Sequence, residues 1–327
     1  MKVRWSRARP ALEIGAAAAA RLLAPVVPRA KVARITPLSG GLANSNLRVD
    51  LAGRDAPLVL RLYQRDPKAA GLECTLSRQL LPKVEVPAFL HLAEDNLVTG
   101  QAYAVLGWIE GVHPEPLLET LPDEGAAALG RAVGDTLASI HEVSFPRHGF
   151  LDAGLQVVEE VELGQAGLLA YLRTCLIEGP GSERLGEELT AALFRFAETE
   201  GAALEGWLAP VCLVHADFND SNLLVRPTAD ADWRVAVLDW EFAFAGSPAI
   251  EFGNLFRSPG LRRPAFAEGV TAGYLDAGGI LPEGWRGIAR IADLFNWASF
   301  LARPHADTAL IEDARAAVRE TISGVGS

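Results

Sequence analysis

The spacing of apolar residues along this chain switches between two and nearly four, and the places where it switches limit the folds open to it. Near the start, Leu47, Val49 and Leu51 alternate onto one face of a strand, and "APLVLRLY" (56–63) reads as a second strand. The turn residues Gly53, Asp55 and Pro57 join the two into a hairpin, and Gly40 and Gly41 stand at the turn that feeds it. From Pro67 to Leu81 the positions Leu72, Leu76 and Leu80 recur every four residues, which predicts an amphipathic helix with Glu73 at the flank of its buried stripe. "QAYAVLGWIEG" (101–111) follows as a mostly buried strand running into a connector bounded by glycines.

Beyond that connector the period is helical, with one stripe at Leu129, Val133, Leu137 and Ile140 and another at Leu185, Leu189, Leu193 and Phe196. Between 210 and 240 it returns to short buried strands, "APVCLV", "NLLV" and "VAVLDW", around the turn "RPTADAD". The remainder is helical again and carries Trp285, Phe295, Trp297 and Phe300, which read as core packing. A small sheet followed by a larger helical region predicts an α+β, bilobal chain. The expected division is a leading helix and β-rich N-lobe over 1–106, a hinge connector over 107–111 and a helical C-lobe over 112–327.

Charge and composition exclude several classes. Residues 1–34 carry eight Lys/Arg and one Glu, so a chain of formal charge −11 is at −18 over the rest, a poor surface for nucleic acid. The basic start followed by "ALEIGAAAAARLLA" has the outline of a signal peptide. Glu13 and Arg21 interrupt it, however, and it reads better as a leading helix. No stretch approaches the 18 or so uninterrupted apolar residues of a membrane span. Cys74, Cys175 and Cys212 are odd in number and widely spaced, which fits buried thiols in a cytoplasmic protein, and the six histidines lack zinc-site spacing.

Chemistry concentrates in "VHADFNDSN" (214–222). Phosphoryl transfer from ATP needs a carboxylate to orient and deprotonate a hydroxyl, and oxygen ligands that hold magnesium against the phosphates. Asp217 answers the first requirement; Asn222, five positions on, and Asp239, after the next strand pair, answer the second. An Asx-rich turn is the plain alternative for Asp217 with Asn222, and a surface ion pair is the alternative for Arg61 with Glu73. His215 reads as a residue that shapes the loop, His141 as a helix-end residue, and Asp220 as a turn former. The order of features carries the argument: glycine-rich loop, basic residue on the next strand, helix glutamate, connector, HxD…N, then a strand-borne aspartate.

In that order the chain resembles the aminoglycoside phosphotransferase and choline kinase family, small-molecule kinases with a protein-kinase-like fold. The similarity runs over nearly the whole chain, through "LSGGLANSN", "LVLRLY", "AVLGWIEG", "VHADFNDSN" and "VLDWEFAFAGSP". The resemblance implies Asp217 as catalytic base and Asn222 and Asp239 as magnesium ligands. It implies Gly40, Gly41 and Asn44 in a loop over the phosphates, Arg61 as the strand cation paired with Glu73, and backbone at Leu106, Gly107, Trp108 and Ile109 receiving the adenine. ATP and magnesium are the implied cofactors, with GTP open as a donor. The implied partner is a small-molecule hydroxyl acceptor, aminoglycoside-like, an amino sugar or an amino alcohol, and the acidic remainder suits a cationic one.

The sequence departs from protein kinases in ways that matter. Arg61 stands where they have lysine, Ala216 where many have the arginine of a phosphorylation switch, and Asp239-Trp240-Glu241 where they have Asp-Phe-Gly. In "GSPAIEFGN", Glu251 stands where relatives commonly place aspartate. The helical stretch between Gly111 and His215 leaves room for an acceptor-binding subdomain. A non-catalytic nucleotide-binding module on the same fold and a protein kinase remain the alternative readings.

Overall fold

A computed structural model describes residues 12–38, 44–230 and 232–324. The fold is α+β, with a sheet-rich N-terminal region and a helical C-terminal region. Helix α1 (Ala16–Leu23) precedes strands β1 (Val32–Pro37), β2 (Ser45–Leu51) and β3 (Leu58–Leu62), helix α2 (Ala69–Leu80), and strands β4 (Phe89–Ala93) and β5 (Tyr103–Gly107). The five strands form one antiparallel sheet in the order β1-β2-β3-β5-β4. The alternation seen in the sequence is real on β2, where Leu47, Val49 and Leu51 are buried against Ala19, Leu22 and Leu23 of α1. Period-2 geometry therefore sends Val59 and Arg61 of β3 to the opposite face, with Asn46 across from Arg61 and Leu106 across from Val59. That face is the roof of a cleft.

Helices α3 (Pro114–Leu118) and α4 (Asp123–His141) follow, then strands β6 (Gly149–Leu151) and β7 (Val157–Glu160) and helix α5 (Gln165–Leu172). A π-helical turn over Arg173–Glu178 leads into α6 (Gly181–Leu185) and α7 (Glu187–Glu200). The stripe Leu185 to Phe196 is thus not one helix. Gly186, at φ 94°, breaks it in a conformation that a side chain would strain. Strands β8 (Cys212–Val214), β9 (Leu223–Pro227), β10 (Trp233–Val237) and β11 (Phe244–Gly246) precede helices α8 (Pro248–Leu255), α9 (Pro264–Asp276), α10 (Trp285–Ala302) and α11 (Thr308–Gly324). β9 and β10 form a hairpin, whereas β8 joins a second sheet ordered β7-β6-β11-β8.

The helical region packs around α4 and α9, which approach closely enough to touch through glycine. A Cβ added at Gly130 or Gly134 would come within 2.2 Å of a carbonyl of α9, and one at Gly269 or Gly273 within 2.2 Å of a carbonyl of α4. The stripe Leu129, Val133, Leu137 and Ile140 is fully buried beside this contact. His141, at the end of α4, is buried against the core, its Nδ1 2.8 Å from the Tyr274 hydroxyl. Among the described residues no helix is long and apolar enough to cross a membrane.

Candidate active site

The strands end where the chemistry begins. β8 stops at Val214 and β10 at Val237, so His215–Asp217 and Leu238–Glu241 emerge side by side from buried strand ends. Ala216 and Asp239 both adopt left-handed backbone, φ 63° and 64°, a conformation that costs a residue with a Cβ. Hydrogen bonds hold the first of these in place. Glu251, fully buried on α8, accepts at one carboxylate oxygen from the backbone N–H of His215 and, at 3.1 Å, from that of Ala216. His215 donates from Nε2–H to the Leu238 carbonyl at 2.8 Å, so its Nδ1 is left to accept the Asp217 N–H at 3.2 Å. This pattern requires the neutral Nε2–H tautomer and ties the two loops together, which makes His215 architecture.

Burial pushes the Glu251 carboxyl up to about 8, against the opposing pull of the Ala216 and His215 N–H groups. A carboxyl that holds its proton more tightly when folded adds stability that is complete below its unfolded value near 4.5 and is lost as pH rises through about 8. Glu251→Gln retains an accepting oxygen without the titration. The variant's unfolding free energy, from urea titrations across that range, is expected to fall less with pH than the parent's; identical pH profiles would contradict the assignment.

Asp217 is clamped from both sides. Asn219 donates to its Oδ1 at 2.7 Å and Asn222 to its Oδ2 at 2.8 Å, while both amides also donate to its carbonyl, at 2.8 and 2.9 Å. Because Asn222 commits its nitrogen to Asp217, its Oδ1 points to the other side of the planar amide as a hard oxygen donor. Asn219 also caps the short turn Asp220–Asn222 by accepting the Ser221 N–H at 3.1 Å. Asp220 is turned away from this group and accepts the Glu115 N–H at the start of α3, at 2.6 Å. It holds the start of α3 to this loop, in keeping with the expected turn former.

The opposite wall comes from the N-terminal sheet. Arg61 is 3 % exposed and its Nη2 donates to Glu73 at 2.8 Å and also to Asp239 Oδ1. Glu73 therefore lies inside the protein, 4 % exposed, and not at a flank; its second oxygen accepts the Tyr63 hydroxyl at 3.0 Å. Burial works against the Arg61 charge, yet Asp239 and Glu73 outweigh it and hold the guanidinium firmly protonated. Burial pushes the Glu73 carboxyl up to about 8, with Arg61 opposing. Asn44 is buried beneath this wall, accepting the Gln64 N–H at 3.1 Å and donating to Glu241 at 3.1 Å. Gly40 and Gly41, expected in the loop beside it, lie outside the described residues.

Two cavities share this apparatus. One, of about 320 Å³, is lined by Val59, Arg61, Glu73 and the connector Leu106, Gly107, Trp108 and Ile109. The other, of about 940 Å³, opens beneath β6, β7, α5 and α10 and has Asp217 in its wall. Asn222 and Asp239 line both. The aspartate assigned as base thus faces the larger cavity, the buried cation faces the smaller, and the two expected metal ligands stand at the junction.

A family model described as the phosphotransferase enzyme family matches residues 34–291. The chain belongs to the phosphotransferase enzyme family. Among solved structures, the fold is similar to a GDP complex of a variant of aminoglycoside phosphotransferase-IIIa, with TM-score 0.71, 16% identity, and 94% of this chain and 97% of that one covered. It is also similar to a GDP and kanamycin complex of a 2″-aminoglycoside phosphotransferase, with TM-score 0.70, 17% identity, and coverage of 92% and 97%. A third similar structure is an aminoglycoside phosphotransferase APH(4)-Ia variant with ADP and hygromycin B, with TM-score 0.63, 18% identity, and coverage of 94% and 99%. No curated protein matches the sequence.

Several residues of this phosphotransferase's cleft carried no sequence signal. Asn46 reaches the smaller cavity because it is paired with Arg61 across the sheet. Asn219, unassigned in the sequence, holds one carboxylate oxygen of Asp217. The C-terminal aromatics expected in the core are there, Trp285 packing on Phe252 with ring centroids 5.0 Å apart, and Phe295 and Phe300 line the larger cavity as well. Glu241 also lines that cavity, and burial, then the Asp239 charge, pushes it up to about 7.

Proposed function

We propose that this chain transfers the γ-phosphoryl group of ATP, or of GTP, to a hydroxyl of a small molecule held in the larger cavity. The observation that carries the reading is the division of labour at the junction. Asp217 faces only the larger cavity, Arg61 and Glu73 only the smaller, and Asn222 and Asp239 face both. The smaller cavity takes the nucleotide, with the base against the connector 107–111, which we take as the hinge between an N-lobe over 1–106 and a C-lobe over 112–327. Arg61, already charged and paired, is placed to meet the phosphates.

In this reading the acceptor hydroxyl donates its proton to Asp217, and its oxygen forms a bond to the γ-phosphorus as the bond to the β,γ-bridging oxygen breaks. The phosphorylated acceptor and ADP (or GDP) leave. The clamp of Asn219 and Asn222 fixes the carboxylate toward the hydroxyl, so the chain supplies position more than reactivity. The Asn222 Oδ1 and the Asp239 carboxylate fit magnesium, a hard ion that takes one or two protein oxygens and completes its shell with phosphates and water. When bound, magnesium neutralises phosphate charge. Among the described residues no cluster of three His, Cys, Asp or Glu could hold a metal alone, which suits an ion that arrives with the nucleotide.

The acceptor class favoured by the acidic rim of the larger cavity, Glu159, Glu160 and Glu162, is an amine-bearing one such as an amino sugar or amino alcohol. The buried free thiols Cys74, Cys175 and Cys212 suit a reducing cytoplasm. A coupled assay of ADP release over amino sugars, amino alcohols and sugars tests the proposal. The expected result is magnesium-dependent release that needs one acceptor class and yields a phosphate ester; a protein that binds nucleotide yet phosphorylates no hydroxyl would favour the non-catalytic module.

A further inference from the structure

The larger cavity holds a feature that an acceptor bearing only amines and hydroxyls does not explain. Two guanidinium groups, Arg65 and Arg303, line it alongside Asp217. They come from distant parts of the chain, Arg65 from just beyond β3 and Arg303 from the C-terminal end of α10. Each is steadied by an aromatic face: Arg65 lies 4.5 Å from the ring centre of Phe242 and Arg303 4.4 Å from that of Phe300. Among the described residues neither makes an ion pair with a carboxylate, whereas Arg61 pairs with two and Arg257 with one.

Stacking holds a guanidinium plane in place while leaving its edge N–H groups to donate. Two such planes facing one cavity, without a protein carboxylate bound to either, offer a fork that matches the oxygens of a carboxylate or phosphate. We propose that Arg65 and Arg303 bind an anionic oxyacid group of the acceptor, so that the preferred substrate carries a carboxylate or phosphate as well as its reactive hydroxyl. The inference rests on the phosphotransfer reading above for the identity of the cavity.

The remaining charges of the cavity agree with this division. Burial and then the charge of Arg65 push Arg303 below the usual range of a guanidinium, with Asp217 and Glu241 pulling the other way and Arg257 adding to the push. An anion between the two cations relieves that repulsion. Glu159 and Glu162 are exposed at the cavity, Glu160 is paired with Arg147 at 3.1 Å, and Asp307 caps α11 by accepting the Leu310 N–H at 2.9 Å. The exposed glutamates suit an ammonium group; the arginines line the same cavity as Asp217. A zwitterionic acceptor uses both ends.

The test is calorimetric titration of the full chain, saturated with ADP and magnesium, with matched pairs: ethanolamine against serine, 3-amino-1-propanol against homoserine, and glucosamine against glucosamine 6-phosphate. In at least one pair the acid-bearing member is expected to bind about tenfold or more tightly, the scale of a charge-assisted contact. Arg65→Gln and Arg303→Gln should each abolish that preference while the melting temperature shows a folded chain. Parity within every pair, including no binding by either member, overturns the inference, as does a preference that survives both substitutions. Where a pair member is turned over, the loss should appear in acceptor KM; a fall in kcat at unchanged acceptor KM would assign the arginines to the transferring phosphoryl group and also overturn it. Acid-selective binding without any phosphorylation would instead refute the phosphotransfer reading and leave the anion site standing.

Discussion

Asp217→Ala is expected to lower kcat by about 10²–10⁴-fold, the usual worth of a positioned general base, with nucleotide affinity nearly unchanged. The separation follows from the geometry under the proposed assignment, because Asp217 lines the larger cavity and is absent from the wall of the smaller one. Its two partners, Asn219 and Asn222, would lose an acceptor each, but both amides still donate to the backbone carbonyl of residue 217, which the substitution leaves in place. Folding should therefore survive, and nucleotide titration with a fluorescent analogue beside steady-state kinetics checks both halves. Parental turnover in the variant would remove Asp217 from the role of base.

Arg61→Ala should be the most damaging single change to the cleft wall. It deletes the cation from a group that holds Glu73, at 4 % exposure, and the junction aspartate Asp239. Breaking a buried pair by removing one partner costs about 3–5 kcal/mol, because the other charge stays behind without compensation. Part of that cost is avoidable here, since Glu73 already has a raised value near 8 and can take up a proton while still accepting from Tyr63. The expected result is a large drop in melting temperature and an increase of about tenfold or more in the nucleotide dissociation constant, consistent with a lost charge-assisted contact. A variant as stable as the parent that binds nucleotide equally well would show Arg61 to be an incidental ion pair.

Much of the fold was legible because its signals are local. Alternation on β2 and the four-residue recurrence on α2 and α4 each follow from one element meeting one apolar neighbour. Strands β6 and β11 were not legible, being three residues each, too short for any period to appear. The glycine contact between α4 and α9 was equally hidden, since a small residue marks a close approach only when its partner backbone is known. Glu73 shows the same limit in polar form. Its position beside a buried stripe reads as a flank until Arg61 arrives from another element and the pair closes inside the protein.

The sequence by itself determined the order of the parts: a strand cation, a helix glutamate, the loop His215–Asn222 and Asp239, each at the end of a local pattern. Order and residue type carry the family resemblance, and the residue types are those that phosphoryl transfer uses. Only the tertiary structure decided which groups meet. It turned Asp217 toward one cavity and Arg61 toward the other, placed Glu251 under the left-handed Ala216, and brought Arg65 and Arg303 to one cavity from distant parts of the chain. Those contacts depend on the packing of elements far apart in sequence, and no local periodicity records which distant side chain will fill the space opposite.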